Sequence, residues 1–298
     1  MNPSDYFTIT LSSGDLSFTD NTLALFRTCL PQQMSLEGKW VVGLSELHYT
    51  RSWYNVKKDE TISIFNDRGD TIASPMLVHA GYYDQHQLVD AINKRLQQCC
   101  SKLAQEVKNY YLSPKPPRKP RGDQHPDFEP PSIALDDVSR HVVMTPGRSP
   151  LDQQRLHVDI SGELKKMLGL TNAFEKYDHA PWGGNEITFV PQQETIKGEK
   201  YAYQCYDLSN GVNTLYVYCN LVSPQILGNT LSPLLRVLPV DDTPFGSQCH
   251  KVYPKPHFYP LACNNFQVVG IEVRESSGDP VGFKFGDTTA VLEFRKVK

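Results

Sequence analysis

Residues 269–298, VGIEVRESSGDPVGFKFGDTTAVLEFRKVK, hold two runs of alternating character. Val269, Ile271 and Val273 alternate with Glu272 and Arg274, and Ala290, Leu292 and Phe294 alternate with Glu293 and Arg295. Successive side chains on a strand point to opposite faces, so each run predicts a strand with one face in a core and one in water. Ser276-Ser277-Gly278-Asp279 and Gly286-Asp287 supply the turns between them. The final residues still carry the pattern, which predicts that the last strand is central to its fold rather than a frayed tail.

Working outward, the same period recurs at 215–221, where Leu215, Val217, Cys219 and Leu221 alternate with Tyr216, Tyr218 and Asn220. Near the N-terminus, Tyr6 to Leu11 is β-branched and aromatic, and Lys39 to Tyr49 is an apolar-rich run of the kind a buried strand shows. Thr61–Phe65 and Thr71–Val78 flank Asn66-Asp67-Arg68-Gly69-Asp70, a turn signal between two strands. Asn21 to Leu30 places Leu23, Phe26 and Leu30 at helix-like spacing. Roughly eight strands lie outside or beside the middle of the chain, the number an eight-stranded jelly roll requires.

The middle reads differently. Asp84 followed by Gln87 forms a capping box. Leu88, Ile92, Leu96, Leu103 and Val107 then recur at helical steps, which predicts an amphipathic helix of about 20 residues. The segment from Ser113 to Pro131 carries seven prolines and almost no aliphatic residue, so it predicts an extended surface loop. Strands resume at Val138–Met144 and Leu156–Ile160, and Ser161 caps a short helix, Glu163–Leu168, that Gly169 stops. The fold class predicted is all-β with a helix-bearing insertion: a single jelly-roll β-sandwich. Its first part is 1–82, the insertion with its proline-rich loop is 83–195, and its second part is 196–298.

The chain has 298 residues and a formal net charge of −3. A chain of that size buries about 75% of its unfolded surface on folding. Mean hydropathy is −0.43. No apolar run approaches the ~20 residues of a membrane helix. No basic segment followed by an apolar stretch opens the sequence, so a secretory leader is not expected. The mild acidity argues against a nucleic-acid coat. Seven cysteines without a CxxC predict reduced thiols, most of them packed as small apolar groups.

No catalytic residue is assigned. GxGxxG, P-loop, HExxH and GxSxG patterns are missing, and no cofactor is expected. The nine histidines are scattered, with His250 and His257 seven apart, so no metal site is assigned. The loop cations Lys115, Arg118, Lys119 and Arg121 form a candidate import signal or weak nucleic-acid contact, set against the plain reading of solvated charge. Arg121-Gly122-Asp123 displays a cation and a carboxylate across a glycine, the arrangement an integrin reads, and is the candidate receptor-binding site. A second Arg-Gly-Asp, at 68–70, sits in the expected hairpin turn.

Three stretches carry a family resemblance: FTDNTLALFRTCLPQQMSLEGKWVVGLSELHYTRSWYNV at 18–56, LVDAIN at 88–93 with VDISGELKKMLGL at 158–170, and TLYVYCNLVSPQILGNTLSPLLRVLPV at 214–240. Together they resemble the minor capsid (penton) protein of Polinton or Maverick elements and adintoviruses. The resemblance implies a single jelly roll that forms homopentamers at the fivefold vertices of an icosahedral virion. Its implied partners are further copies of itself and the major capsid protein of the same element; integrin joins them only through the Arg121-Gly122-Asp123 reading. Hydropathy and charge, as above, add no membrane and no specific nucleic acid to these partners. Its implied place is the virion, after assembly in the host cytoplasm or nucleus. Ring closure needs broad interfaces in which aromatic residues are favoured, which makes Trp53, Tyr54, Tyr253 and Tyr259 the candidate interface residues. The competing readings are a ligand- or carbohydrate-binding β-sandwich, stacking sugar on Trp40, Trp53 or Trp182, and the major capsid protein itself.

Overall fold

The computed structural model describes residues 5–66, 69, 71–112, 128–138, 140–145, 147–149, 154–170, 200–201, 205–210 and 212–297. In chain order its first elements are β1 (Tyr6–Ser12), β2 (Leu25–Ser35), β3 (Trp40–Thr50), β4 (Glu60–Asn66), β5 (Thr71–Val78) and α1 (Gln85–Leu112). There follow β6 (Ser132–Asp136), β7 (His141–Thr145), β8 (Gly147–Ser149), β9 (Gln154–Ile160), α2 (Gly162–Met167) and β10 (Lys200–Tyr201). The last group is β11 (Thr214–Cys219), β12 (Gln225–Leu227), β13 (Thr230–Ser232), β14 (Leu234–Pro239), β15 (Gln248–Val252), β16 (Tyr259–Pro260), β17 (Asn265–Arg274) and β18 (Thr289–Lys296). Two units emerge: Met1–Tyr54 with Gly211–Lys298, and Asn55–Asn210.

In the first unit the alternating strands pair outermost with outermost along the chain. β1 pairs with β18, β2 with β17, β3 with β15 and β11 with β14, every pair antiparallel. This nesting is the wiring of a jelly roll. It yields one sheet in the order β1-β18-β3-β15, with β16 also on β3, and a second in the order β14-β11-β17-β2. The last strand is interior, between β1 and β3, as its alternation predicts. The inward faces meet in one core that includes Leu11, Val42, Leu44, Leu47, Phe26, Leu215, Val217, Ile271, Leu292 and Phe294. Phe294 is fully buried, stacked on Phe7 at 4.7 Å and on Phe266 at 5.9 Å between ring centroids.

β3 departs from strict alternation. Leu44 pairs with Leu292 and Glu46 with Val291, so Ser45 is one residue more than β18 supplies. This bulge resets the pleat. It lets Leu44 and Leu47, three residues apart, both reach the core, and it turns Glu46 and His48 outward. The Ser45 hydroxyl donates to the Val291 carbonyl at 3.0 Å, and its own carbonyl accepts from the Tyr253 amide at 2.8 Å.

The segment Asn21–Leu30 is not helical; most of it belongs to β2. Three apolar residues at helical spacing are outweighed by a long antiparallel ladder, in which Leu25 faces Glu272 and Phe26 faces Ile271. The Asn21 side chain fastens the strand's start, accepting from the Arg27 amide at 2.8 Å and donating to its carbonyl at 2.9 Å.

The second unit holds a sheet ordered β5-β4-β9-β8, a sheet ordered β10-β7-β6, and the helices α1 and α2. The strand pair β4–β5, assigned from sequence to the sandwich, is here bonded to β9 instead. The chain therefore leaves the jelly roll after Tyr54, earlier than position 82, and re-enters it at Gly211, later than 196. α1 begins with the expected capping box. The Asp84 carboxylate accepts from the Gln87 amide at 2.8 Å, and the Gln87 side chain accepts from the Asp84 amide at 3.1 Å. Leu88, Ile92, Leu96, Cys99 and Cys100 line its buried face, in one cluster with Ile62, Ile64, Ile133 and Val142. β7 begins at His141 rather than Val138, which is 95% exposed in a turn.

At α2 the capping group differs from the prediction. The Ser161 hydroxyl donates to the buried Glu60 carboxylate at 2.8 Å, and that carboxylate accepts the Glu163 amide at 3.1 Å. The helix stops as expected at Gly169, where φ is 71 degrees and the amide bonds to the Lys166 carbonyl. Glycine takes this left-handed conformation without a side-chain clash.

Candidate functional site

The bulge at Ser45 and the β3–β15 register build one polar constellation on the outer face of the first sheet. Glu46 and His48 are two residues apart on β3 and share a face. His250 lies directly opposite His48, while the neighbouring pair Tyr49 and Cys249 is buried. The two imidazoles stack with centroids 3.8 Å apart and planes 16° apart. Both Nε2 atoms lie 3.2 Å from the same Glu46 oxygen, Oε2. The hydrogen bonds from His48 and His250 hold the Glu46 carboxyl below the usual carboxylate range. Side-chain exposure is 39% for Glu46, 43% for His48 and 50% for His250, so the group is open to solvent. Thr50, Gln248, Gly286, Asp287 and Thr289 complete a shallow concavity around the histidines.

Sequence reading missed this group for a physical reason. The Glu-x-His pair is visible in the alternation of β3, but His250 arrives from a strand far along the chain. Alternation alone does not encode which strand pairs with which, or in what register.

The residues singled out from sequence lie elsewhere. Arg121, Gly122 and Asp123, with Lys115, Arg118 and Lys119, fall outside the described residues. Trp53 is 5% exposed and set edge-on to Phe283 at 5.6 Å, so its surface is used in the core of the first unit and little is left for a partner. Tyr54 is half-buried under the Lys284 ammonium, 4.8 Å from its ring. Tyr253 is half-buried beneath the Arg236 guanidinium at 4.1 Å, and burial pushes its phenol up. Tyr259 is half-buried opposite Val42. These three are strung along β3, at Val42, at Ser45 and beyond Thr50, rather than gathered. Trp40 is buried, donating to the Glu37 carbonyl at 3.1 Å. Neither Trp40 nor Trp53 offers a face to a sugar, and Trp182 lies outside the described residues.

The structure adds a surface feature that alternation did not flag. The hairpin β12–β13 pairs Ile226 with Leu231, and they are 83% and 71% exposed. The signal for it was the turn at Gly228, where φ is 62 degrees. That conformation suits glycine, which has no Cβ to clash.

Taken together, these features define a class: a single eight-stranded jelly-roll sandwich with a helix-bearing unit inserted between its third and fourth strands. No protein-family model matches the sequence, and no curated protein matches it. Among solved structures the chain is similar to the mavirus penton protein, at 12% identity and a TM-score of 0.51. The match covers 98% of this chain and 100% of that one. It also aligns with a chain of the Sputnik virophage structure at 11% identity and a TM-score of 0.49, over 99% and 98% of the two chains. The first likeness shows a shared fold.

Proposed function

We propose that this chain is a structural capsid protein of the penton type, forming homopentamers at the fivefold vertices of an icosahedral virion. One observation carries it. The jelly roll and its insertion match the mavirus penton protein over nearly the whole length of both chains. Five copies around an axis meet through heterologous contacts that close into a ring. The exposed Ile226 and Leu231, with the remaining surface of the half-buried Tyr54, Tyr253 and Tyr259, supply apolar and aromatic surface for such contacts. The role is one of assembly rather than catalysis, with the major capsid protein of the same element as the second partner. The stretches quoted from sequence resemble those of Polinton or Maverick elements and adintoviruses, and Arg121-Gly122-Asp123 is the proposed site of cell attachment through integrin.

Light scattering on the eluting full chain tests the assembly. The subunit mass is 33.7 kDa, and the proposal expects a particle of five such subunits. A stable monomer or trimer overturns it. Attachment is tested apart, with Asp123→Glu on the assembled protein: adhesion of integrin-bearing cells should fall, and unchanged adhesion removes that element alone.

A further inference from the structure

We propose that Glu46, His48 and His250 form a binding site for a divalent transition-metal ion of the zinc class. The inference is independent of the capsid reading, since it rests on three side chains of one sheet. The donors are two imidazole nitrogens and one carboxylate oxygen, a set that suits zinc and its neighbours. Magnesium and calcium prefer shells made wholly of oxygen.

The spacing of each imidazole nitrogen from the carboxylate oxygen fits as well. Ligands at about 2.0–2.2 Å from a tetrahedral ion lie about 3.3–3.6 Å from one another. The observed separations of His48 Nε2 and His250 Nε2 from Glu46 Oε2 are both 3.2 Å. All three ligand atoms lie within 4.8 Å of one another. A hydrogen-bonded cluster meets the same distances, but it needs both imidazoles to carry their proton on Nε2. A metal ion takes the place of those two protons and is held by three donors at once.

The backbone holds these donors in place. His48 and His250 are cross-strand partners, and β3 is braced on its other side by β18, where Thr289 faces His48. The bulge at Ser45 fixes the outward direction of Glu46, and the cross-strand pairing keeps both Nε2 atoms beside one oxygen. Imidazole lone pairs lie in the ring planes, so the stacked rings turn out of their stack to coordinate one ion together. Three protein ligands leave a fourth position, which opens towards solvent and is filled by water.

The test uses the untagged full chain, dialysed against zinc and measured by metal analysis and calorimetry. The expected result is one zinc per chain, unaffected by millimolar-range magnesium, with cobalt giving the visible absorption of a tetrahedral site. His48→Ala and His250→Ala should each weaken binding by roughly a hundredfold or more, beyond the ~10–100-fold lost with an outer-shell partner. His257→Ala, an exposed histidine elsewhere, should leave it unchanged. All three positions are solvent-facing, and matching circular dichroism and melting curves confirm folding. Zinc stoichiometry unchanged in the double variant His48→Ala, His250→Ala, or no binding to the parent chain, overturns the proposal.

Discussion

Phe294→Ala is the sharpest probe of the sandwich. The ring is fully buried in an interior strand and stacks on Phe7 and Phe266 from two other strands. Moving ~150 Å² of ring surface back into water costs about 4 kcal/mol at ~25 cal/mol/Å². Measured Phe→Ala losses in cores span about 3–5 kcal/mol, the spread reflecting how far each site collapses. With a urea slope of about 2 kcal/mol/M, the midpoint should fall by about 2 M. Trp40 and Trp53 sit in the same core, so fluorescence in a Trp182→Phe background reads that unit. Leu16→Ala is the control, at a residue 94% exposed. It should shift stability by less than about 0.5 kcal/mol. A loss below about 1 kcal/mol for Phe294→Ala would refute the placement of β18 between β1 and β3.

Other outcomes follow from single features. Asp84→Ala removes the carboxylate that caps α1. It should cost about 1 kcal/mol in thermal unfolding, whereas Asp84→Asn should recover most of that loss. Burial pushes the Cys100 and Cys219 thiols up to about 12 each, and Cys99 and Cys249 are also buried. The thiolate is the reactive form. Alkylation of the native chain in mildly alkaline buffer should therefore label only Cys29, Cys205 and Cys263, and all seven cysteines once unfolded. Rapid native labelling of Cys219, counted by mass spectrometry, would contradict that core. The double substitution Ile226→Asp, Leu231→Asp should abolish assembly, since both side chains are exposed on the hairpin. Subunit stability should change by less than about 0.5 kcal/mol, as for other exposed positions. Intact oligomers from that variant would exclude the hairpin from the interface.

Much of the architecture was legible because burial writes a period into the chain. The alternation at 215–221, 269–274 and 290–295 marks β11, β17 and β18, and Asp84 with Gln87 marks the start of α1. The misread places share a cause, which is that non-local pairing decided them. Residues 21–30 follow the ladder with β17 rather than their own weak helical spacing. The hairpin β4–β5 alternates like any sandwich strand, and only its bonds to β9 assign it to the inserted unit. The bulge at Ser45 shows in the sequence solely as Leu44 and Leu47 three apart inside a strand. The His48–His250 pair needs the register of strands far apart in the chain, which no local pattern carries.

The claim at the centre is that this jelly roll builds a fivefold vertex. Negative-stain images of the purified full chain, averaged without imposed symmetry, test it most directly. Rings with five equal lobes are the predicted result, and threefold particles or single isolated subunits would contradict it.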